Sequence, residues 1–143
     1  DHFNPTTDDM TVTLQKALQE DTNSHKKVNY ICTHPHSSVV LDKKETKAIK
    51  EVFGDHAYRL KVSTIKGMVG HSMAGGTAMQ SITACLALQE GILPPTLNYE
   101  VPDPECDLDY VPNLARDARV RTVMSNSFGF GGHNASTVLR AFR

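Results

Sequence analysis

The chain has 143 residues, 39% of them apolar and 22% charged, with a formal net charge of −1. That composition suits one domain with a buried core; it excludes a broad nucleic-acid footprint, which needs a basic excess, and no apolar run approaches the roughly 20 residues that span a bilayer. Cys32, Cys85 and Cys106 form an odd set at irregular spacing with no CxxC pair, which fits neither a disulfide framework nor a zinc site and points to a reducing, cytoplasmic compartment.

The opening, DHFNPTTDD, is polar and acidic, unlike a signal or transit peptide. It lacks an initiator Met and reads like the middle of a domain, so a fragment, a processed chain or one subunit of a split enzyme is expected. Over residues 8–20, Met10, Leu14, Ala17 and Leu18 share one helical face, and the acidic first turn suits the positive end of the helix dipole. Residues 28–33 read as a strand. Asp42 with Glu45 three residues on predicts a capping-box variant opening a second helix, whose buried stripe is Ala48, Ile49, Val52 and Phe53.

Residues 59–64 read as a second strand. A small-residue helix is predicted from His71 to about Glu90, with Ala78, Ile82, Cys85 and Leu86 on its core side. Residues 93–118, rich in proline and acids, are expected to be mostly loop. Two strands near 119–126 and 134–142 then flank the glycine-rich turn at 128–132, forming a hairpin. The order α-β-α-β-α-loop-β-β implies a mixed, layered α/β domain.

Three segments could carry chemistry, each where a strand gives way to a loop or helix: 32–38, 63–71 and 125–134. Cys32 and His34 stand two apart, a spacing that puts both on one side of a strand, but a buried Cys32 beside an independent histidine is the simpler reading. Cys85 belongs to a helix core. Cys106 lies among Asp103, Glu105, Asp107 and Asp109, whose charges suppress a thiolate. His34 and His36 lack the further ligands a zinc site needs, so no metal is expected. The turn at 129–132 matches no phosphate-cradling pattern. His2, His25, His56 and His133 receive no catalytic role.

Taken in order, these segments resemble the β-ketoacyl-ACP synthases, the elongating ketosynthases of fatty-acid and polyketide assembly. Lys66-Gly67-Met68-Val69-Gly70-His71 resembles their Lys-x-x-x-Gly-His segment, and Asn126-Ser127-Phe128-Gly129-Phe130-Gly131-Gly132 repeats their Asn-Ser-Phe-Gly-Phe-Gly-Gly turn. Residues 42–54 look like the helix after the first histidine. Pro94-Pro95-Thr96 and Pro102-Asp103-Pro104 look like the loop before the last hairpin. The resemblance runs from about Val28 to Phe142, and more loosely back to Asp1.

It implies a thiolase-like layered α/β/α/β/α fold, with this chain, 1–143, as most of the second half. The family's nucleophilic cysteine belongs to the first half, so the reaction needs that half or a partner subunit. The implied activity is acyl transfer by decarboxylative Claisen condensation of malonyl-ACP with an acyl thioester. His34 and His71 resemble the pair that hydrogen-bond the enolate oxyanion, and Lys66 the lysine that orders them. Phe128 resembles the gate whose N–H joins the oxyanion hole, with Gly129 beside it. His36, Ser38 and Phe130 fall in the substrate-binding stretches. No cofactor is implied beyond the phosphopantetheine of the acyl carrier protein. A dimeric assembly is implied, with no nucleic-acid or membrane partner.

The departures are as specific. Pro35-His36-Ser37-Ser38 stands where the family shows Gly-Thr-Ser-Thr, so His36 replaces one pantetheine-binding threonine and Ser38 keeps one hydroxyl. Cys32 stands for a common Asn. Gln80 stands for the Glu that partners the lysine, which implies a less compensated Lys66 and puts a structural cation of some members in doubt. The alternative is a non-catalytic partner of chain-length-factor type, or an acyl-ACP binding subunit.

Overall fold

The computed structural model describes residues 4–19 and 24–142. Helix α1, Thr7–Leu18, opens on a reciprocal capping box: the Thr6 hydroxyl accepts the Asp9 N–H, and the Asp9 carboxylate accepts the Thr6 N–H. Met10, Leu14 and Leu18 are its buried face, as the periodicity requires, and Ala17 packs beside them. The expected extension to Glu20 lies outside the described residues, as do His2 and the side chain of His25. A single turn, α2 (Ser24–Lys27), leads into strand β1, Tyr30–Cys32.

Helix α3, Leu41–Phe53, differs from expectation at its start. Ser38 rather than Asp42 does the capping: its hydroxyl accepts the Leu41 N–H, while Asp42 accepts the Ser38 N–H. Glu45 instead points inward, 2% exposed. Strand β2, Lys61–Ser63, follows a 3-10 turn at 54–59. The predicted helix from His71 begins later, because Gly70 at φ 76° and a 3-10 turn at 73–75 interrupt it. The result is a short α4 (Lys66–Val69) and α5 (Gly76–Glu90), which ends on left-handed Gly91.

Within the long loop, β3 (Ile92–Leu93) and β4 (Arg116–Asp117) make a small antiparallel pair. The loop's acids are stapled to the body: Lys43 pairs with Asp103 and Glu105, Lys50 with Asp107, and Lys61 and Arg116 with Asp109. The terminal hairpin is β5 (Thr122–Phe128) and β6 (Asn134–Arg140), in register from Thr122↔Arg140 to Phe128↔Asn134.

The main sheet runs β2-β1-β5-β6, with β1 parallel to both β2 and β5. Strand alternation splits its apolar residues between two layers. Ile31, Val62 and Met124 face α1 and α3, with Leu14, Ile49 and Phe53. Tyr30, Cys32 and Val123 join Ala84 and Ala87 of α5 and Leu93 on the other side. Parallel pairing brings the carboxyl ends of β1, β2 and β5 to one edge, where ligand sites of open α/β sheets form.

Candidate active site

That edge gathers residues from segments far apart in sequence. His34 follows β1, Lys66 opens α4 just after β2, His71 lies between α4 and α5, and Phe128 ends β5. The His34 ring lies 5.5 Å from that of His71 and 6.1 Å from that of Phe128, centroid to centroid. Lys66 Nζ lies 3.1 Å from His34 Nδ1 and also donates to the His34 carbonyl oxygen. His34 is 8% exposed and Phe128 3%, whereas His71 is open to solvent.

These contacts fix the proton positions. An ammonium has donors only, so His34 Nδ1 accepts from Lys66 and the ring proton sits on Nε2. His71 Nδ1 accepts the Met73 backbone N–H at 3.1 Å, so its proton also sits on Nε2. Met73 is a non-glycine residue at φ 50°, a conformation that costs about 1–2 kcal/mol in isolation and here aims its N–H at the ring. Two imidazole N–H groups are thus held by lysine and backbone on their Nδ1 sides.

Electrostatics keeps both rings neutral. Burial pushes His34 down to about 3, with the Lys66, His36 and His71 charges adding to it. His71 is lowered by burial first, then by Lys66 and His36. Burial also lowers Lys66 to about 8, against the attraction of Glu45, Cys32 and Asp42.

Glu45, Gln80 and Asn126 complete the site in a way the sequence reading missed. Glu45 accepts the His34 backbone N–H at 3.1 Å and Asn126 Nδ2 at 2.9 Å. Gln80 Nε2 donates to the carbonyls of Thr33, at 2.7 Å, and Asn126, at 3.0 Å. The Thr33–His34 peptide is therefore gripped at both its C=O and its N–H. Asn126 Oδ1 is occupied in turn by the Ser136 hydroxyl. Gln80 is thus not a weakened partner for Lys66; it bonds two backbone carbonyls, and Glu45, when ionised, is the acid that most favours a protonated Lys66. Glu45 was legible in principle, since it falls three and four residues before Ala48 and Ile49 on the apolar stripe of α3.

The other expected site residues are more exposed than His34 and Phe128. His36 is exposed, its ring 5.7 Å from His34 and 5.3 Å from His71. Ser38 spends an acceptor lone pair on the α3 cap and keeps its proton to donate. Phe130 is 65% exposed in the turn. Gly129 donates to the His133 carbonyl at 3.0 Å, and a Cβ there would meet that oxygen at 3.1 Å. Its φ of −115° is ordinary; Gly131 and Gly132, at 70° and 80°, are the positions that need glycine. Cys32 is buried beside Tyr30 and Gln80, its thiol pushed up to about 11 by burial, which suits core packing rather than a dyad. Burial and the charges of Asp103 and Asp42 raise Cys106. Cys85, expected in the core, is exposed. His56 bonds the Val28 carbonyl, a structural tie.

Residues 2–100 match the family described as beta-ketoacyl synthase, C-terminal domain. The chain belongs to the β-ketoacyl synthase family. It is 44% identical over 135 residues to 3-oxoacyl-[acyl-carrier-protein] synthase 2 of Coxiella burnetii, covering 94% of this chain and 33% of that protein. Over 131 residues it is 43% identical to the tetracenomycin polyketide synthase ketoacyl synthase alpha subunit of Streptomyces glaucescens, covering 92% and 31%. A solved type II polyketide synthase acyl-carrier protein in complex with its ketosynthase bound to the hexaketide superposes with a TM-score of 0.94. It is 35% identical, and the match covers 99% of this chain and 35% of that one.

The β-ketoacyl synthase domain thus spans about a third of the length of these relatives. Its thiolase-type α/β fold follows from the match to solved ketosynthases. Among the described residues, no helix is long and apolar enough to cross a membrane.

Proposed function

We propose that this segment supplies the decarboxylation half of a ketosynthase site, working on a malonyl thioester carried by an acyl carrier protein in the cytoplasm. The observation that carries this reading is the pair of donors seated at Nδ1 of the two histidines, Lys66 Nζ on His34 and the Met73 N–H on His71. With Nδ1 of each occupied as an acceptor, His34 and His71 are left with two neutral Nε2–H donors on rings 5.5 Å apart.

The chemistry asks for that pair. When the bond between the malonyl carboxylate and its α-carbon breaks, carbon dioxide leaves and the electron pair moves onto the thioester carbonyl oxygen. Two preorganised N–H donors stabilise that oxyanion. The enolate carbon then attacks an acyl thioester held on a cysteine; the new C–C bond forms and the cysteine thiolate departs. That cysteine belongs to the amino-terminal half or partner segment, with which this domain forms the working, dimeric enzyme. Phe128 and Gly129 belong to the oxyanion and gating turn, while His36, Ser38 and Phe130 line the approach of the phosphopantetheine arm. The chain's own residues need no further cofactor for these steps.

Neutrality matters as well as geometry. A ring held near 3 by burial and Lys66 stays an uncharged donor at physiological pH. It therefore stabilises the oxyanion without handing over its proton and quenching the nucleophilic carbon. In the complete enzyme, His34→Ala or His71→Ala should lower malonyl-ACP decarboxylation by about 10²–10³-fold, the scale of one lost oxyanion donor, with acyl loading of the cysteine much less affected. Unchanged decarboxylation in both variants would refute this reading in favour of a non-catalytic partner.

A further inference from the structure

The spacing of His34 and His36 offered two imidazoles and no third ligand. The fold provides one. His71, from a different segment, brings its ring nitrogen within 4.8 Å of the ring nitrogens offered by both others, and among the described residues no other set of three metal-ligating side chains comes together. We propose that His34, His36 and His71 form a binding site for a zinc-class divalent transition-metal ion, one whose occupancy excludes the oxyanion-binding state of the same histidines.

Several observations support the assignment. Three imidazoles leaving one position open are the ligand count of an open zinc site, and an all-nitrogen set selects transition metals over magnesium or calcium. Zinc–nitrogen bonds of about 2.0–2.1 Å require ligand nitrogens closer than those seen here, so rings must pivot inward. Two are able to: His36 and His71 are exposed, while His34 is the fixed, buried member. Asp42 sits near enough to attract both His36 and Lys66, and Glu45 acts on Lys66 from below, so the local charge is not that of lysine alone. His36 is the residue that turns a catalytic pair into a chelating face.

The proton balance explains the exclusivity. A metal on Nε2 of His34 displaces that proton to solvent, and the proton Lys66 already aims at Nδ1 crosses to the ring. His71 must release the Met73 N–H and turn. Both N–H donors are then lost from the side that faces an oxyanion, which binding and ligand deprotonation together demand.

The test is a titration of the complete synthase with Zn²⁺, with Co²⁺ as the spectroscopic probe and Mg²⁺ as the hard-ion control. One Co²⁺ should bind per chain with a four- or five-coordinate spectrum, Zn²⁺ should displace it, and Mg²⁺ should not. His36→Gln, an exposed substitution, should weaken binding at least about tenfold, as should His71→Gln, on the scale of damage to a metal ligand set. His56→Gln, at the far end of β1, should leave binding unchanged. As a second arm, Zn²⁺ should inhibit decarboxylation in the parent, and His36→Gln should be less zinc-sensitive relative to its own metal-free rate. Absent binding, or binding indifferent to both His36→Gln and His71→Gln, would overturn the site. Bound zinc that spares decarboxylation would place the ion elsewhere and overturn it too. An enzyme with no decarboxylation to inhibit would instead fail the functional reading, and the titration alone would decide the metal.

Discussion

Glu45 and Lys66 pull the folding equilibrium in opposite directions as pH changes. Burial raises Glu45 from 4.5 to about 8, so the folded state holds that proton more tightly than the unfolded chain does. Its contribution to stability therefore falls as pH rises from about 4.5 to 8. Lys66 is lowered from 10.5 to about 8, so its contribution rises between about 8 and 10.5. His34, lowered from 6.5 to about 3, adds a rising limb between those values, which leaves the stretch above it to Glu45. Urea unfolding of the complete enzyme should show a falling limb between about pH 6.5 and 8 that is flattened in Glu45→Gln, which does not ionise. An unchanged slope would mean that Glu45 does not carry this limb.

Gln80 gives a second prediction at this scale. Its amide donates to two buried carbonyls, and a carboxylate in its place would confront both with negative charge and no donor. Gln80→Glu should destabilise the enzyme by at least about 2 kcal/mol near neutral pH, relieved in acid as the new carboxyl protonates. A stability gain would instead restore the ion pair with Lys66 expected from sequence. The grouping of His34, Lys66 and His71 was legible from motif order. The Glu45–Asn126–Gln80 support was not, because it joins backbone groups on separate strands, and a sequence does not print the partners of its backbone.

Among the elements, α5 is the one the sequence misassigned. Its apolar face was read as core, yet Ile82 and Leu86 are 61% and 52% exposed and Cys85 beside them is open, while Gln80, Ala84 and Ala87 face the sheet. The helix carries no charge before Glu90, and its outward face is apolar at Ile82 and Leu86 as its inward face is at Ala84 and Ala87, a pattern that calls for cover on both sides. Periodicity groups these residues on one face but carries no information on whether a cover for it lies in the same chain. In the complete enzyme Cys85 should resist alkylation by a water-soluble maleimide, read by peptide mass spectrometry, and Ile82→Asp should expose it. Rapid labelling of Cys85 in the parent would show that this face stays in water. The α3 boundary was shifted for a simpler reason: Ser38 and Asp42 cap it reciprocally, which frees Glu45 for the interior.

For the molecule as a whole, the layered order and the terminal hairpin followed from alternating patterns and turn residues. The parallel pairing of β1 with both β2 and β5 did not, since three-residue strands carry no register of their own. With the α5 face uncovered, the 143 residues alone should behave as an incomplete core. Expressed by themselves they should aggregate or bind hydrophobic dye, and coexpression with a segment matching the other two thirds of the relatives should solubilise them. A cooperative, monomeric melting transition of the isolated segment would refute this.

The central place of β1 also sets an order of events in time. Asn29, just before this strand, receives the N–H of Arg121, 92 residues away, at the entrance of β5. At a synthesis rate of about 5–20 residues per second, a ribosome takes on the order of 5–20 s to deliver that partner. Throughout that interval β1 has at least one open flank, and the peptide that will carry His34 lacks the Asn126 side of its support. The nascent chain therefore spends seconds with an unpaired strand edge, a window in which a ribosome-bound chaperone has work to do and in which synonymous changes in codon speed upstream of Thr122 would alter yield without altering a single residue.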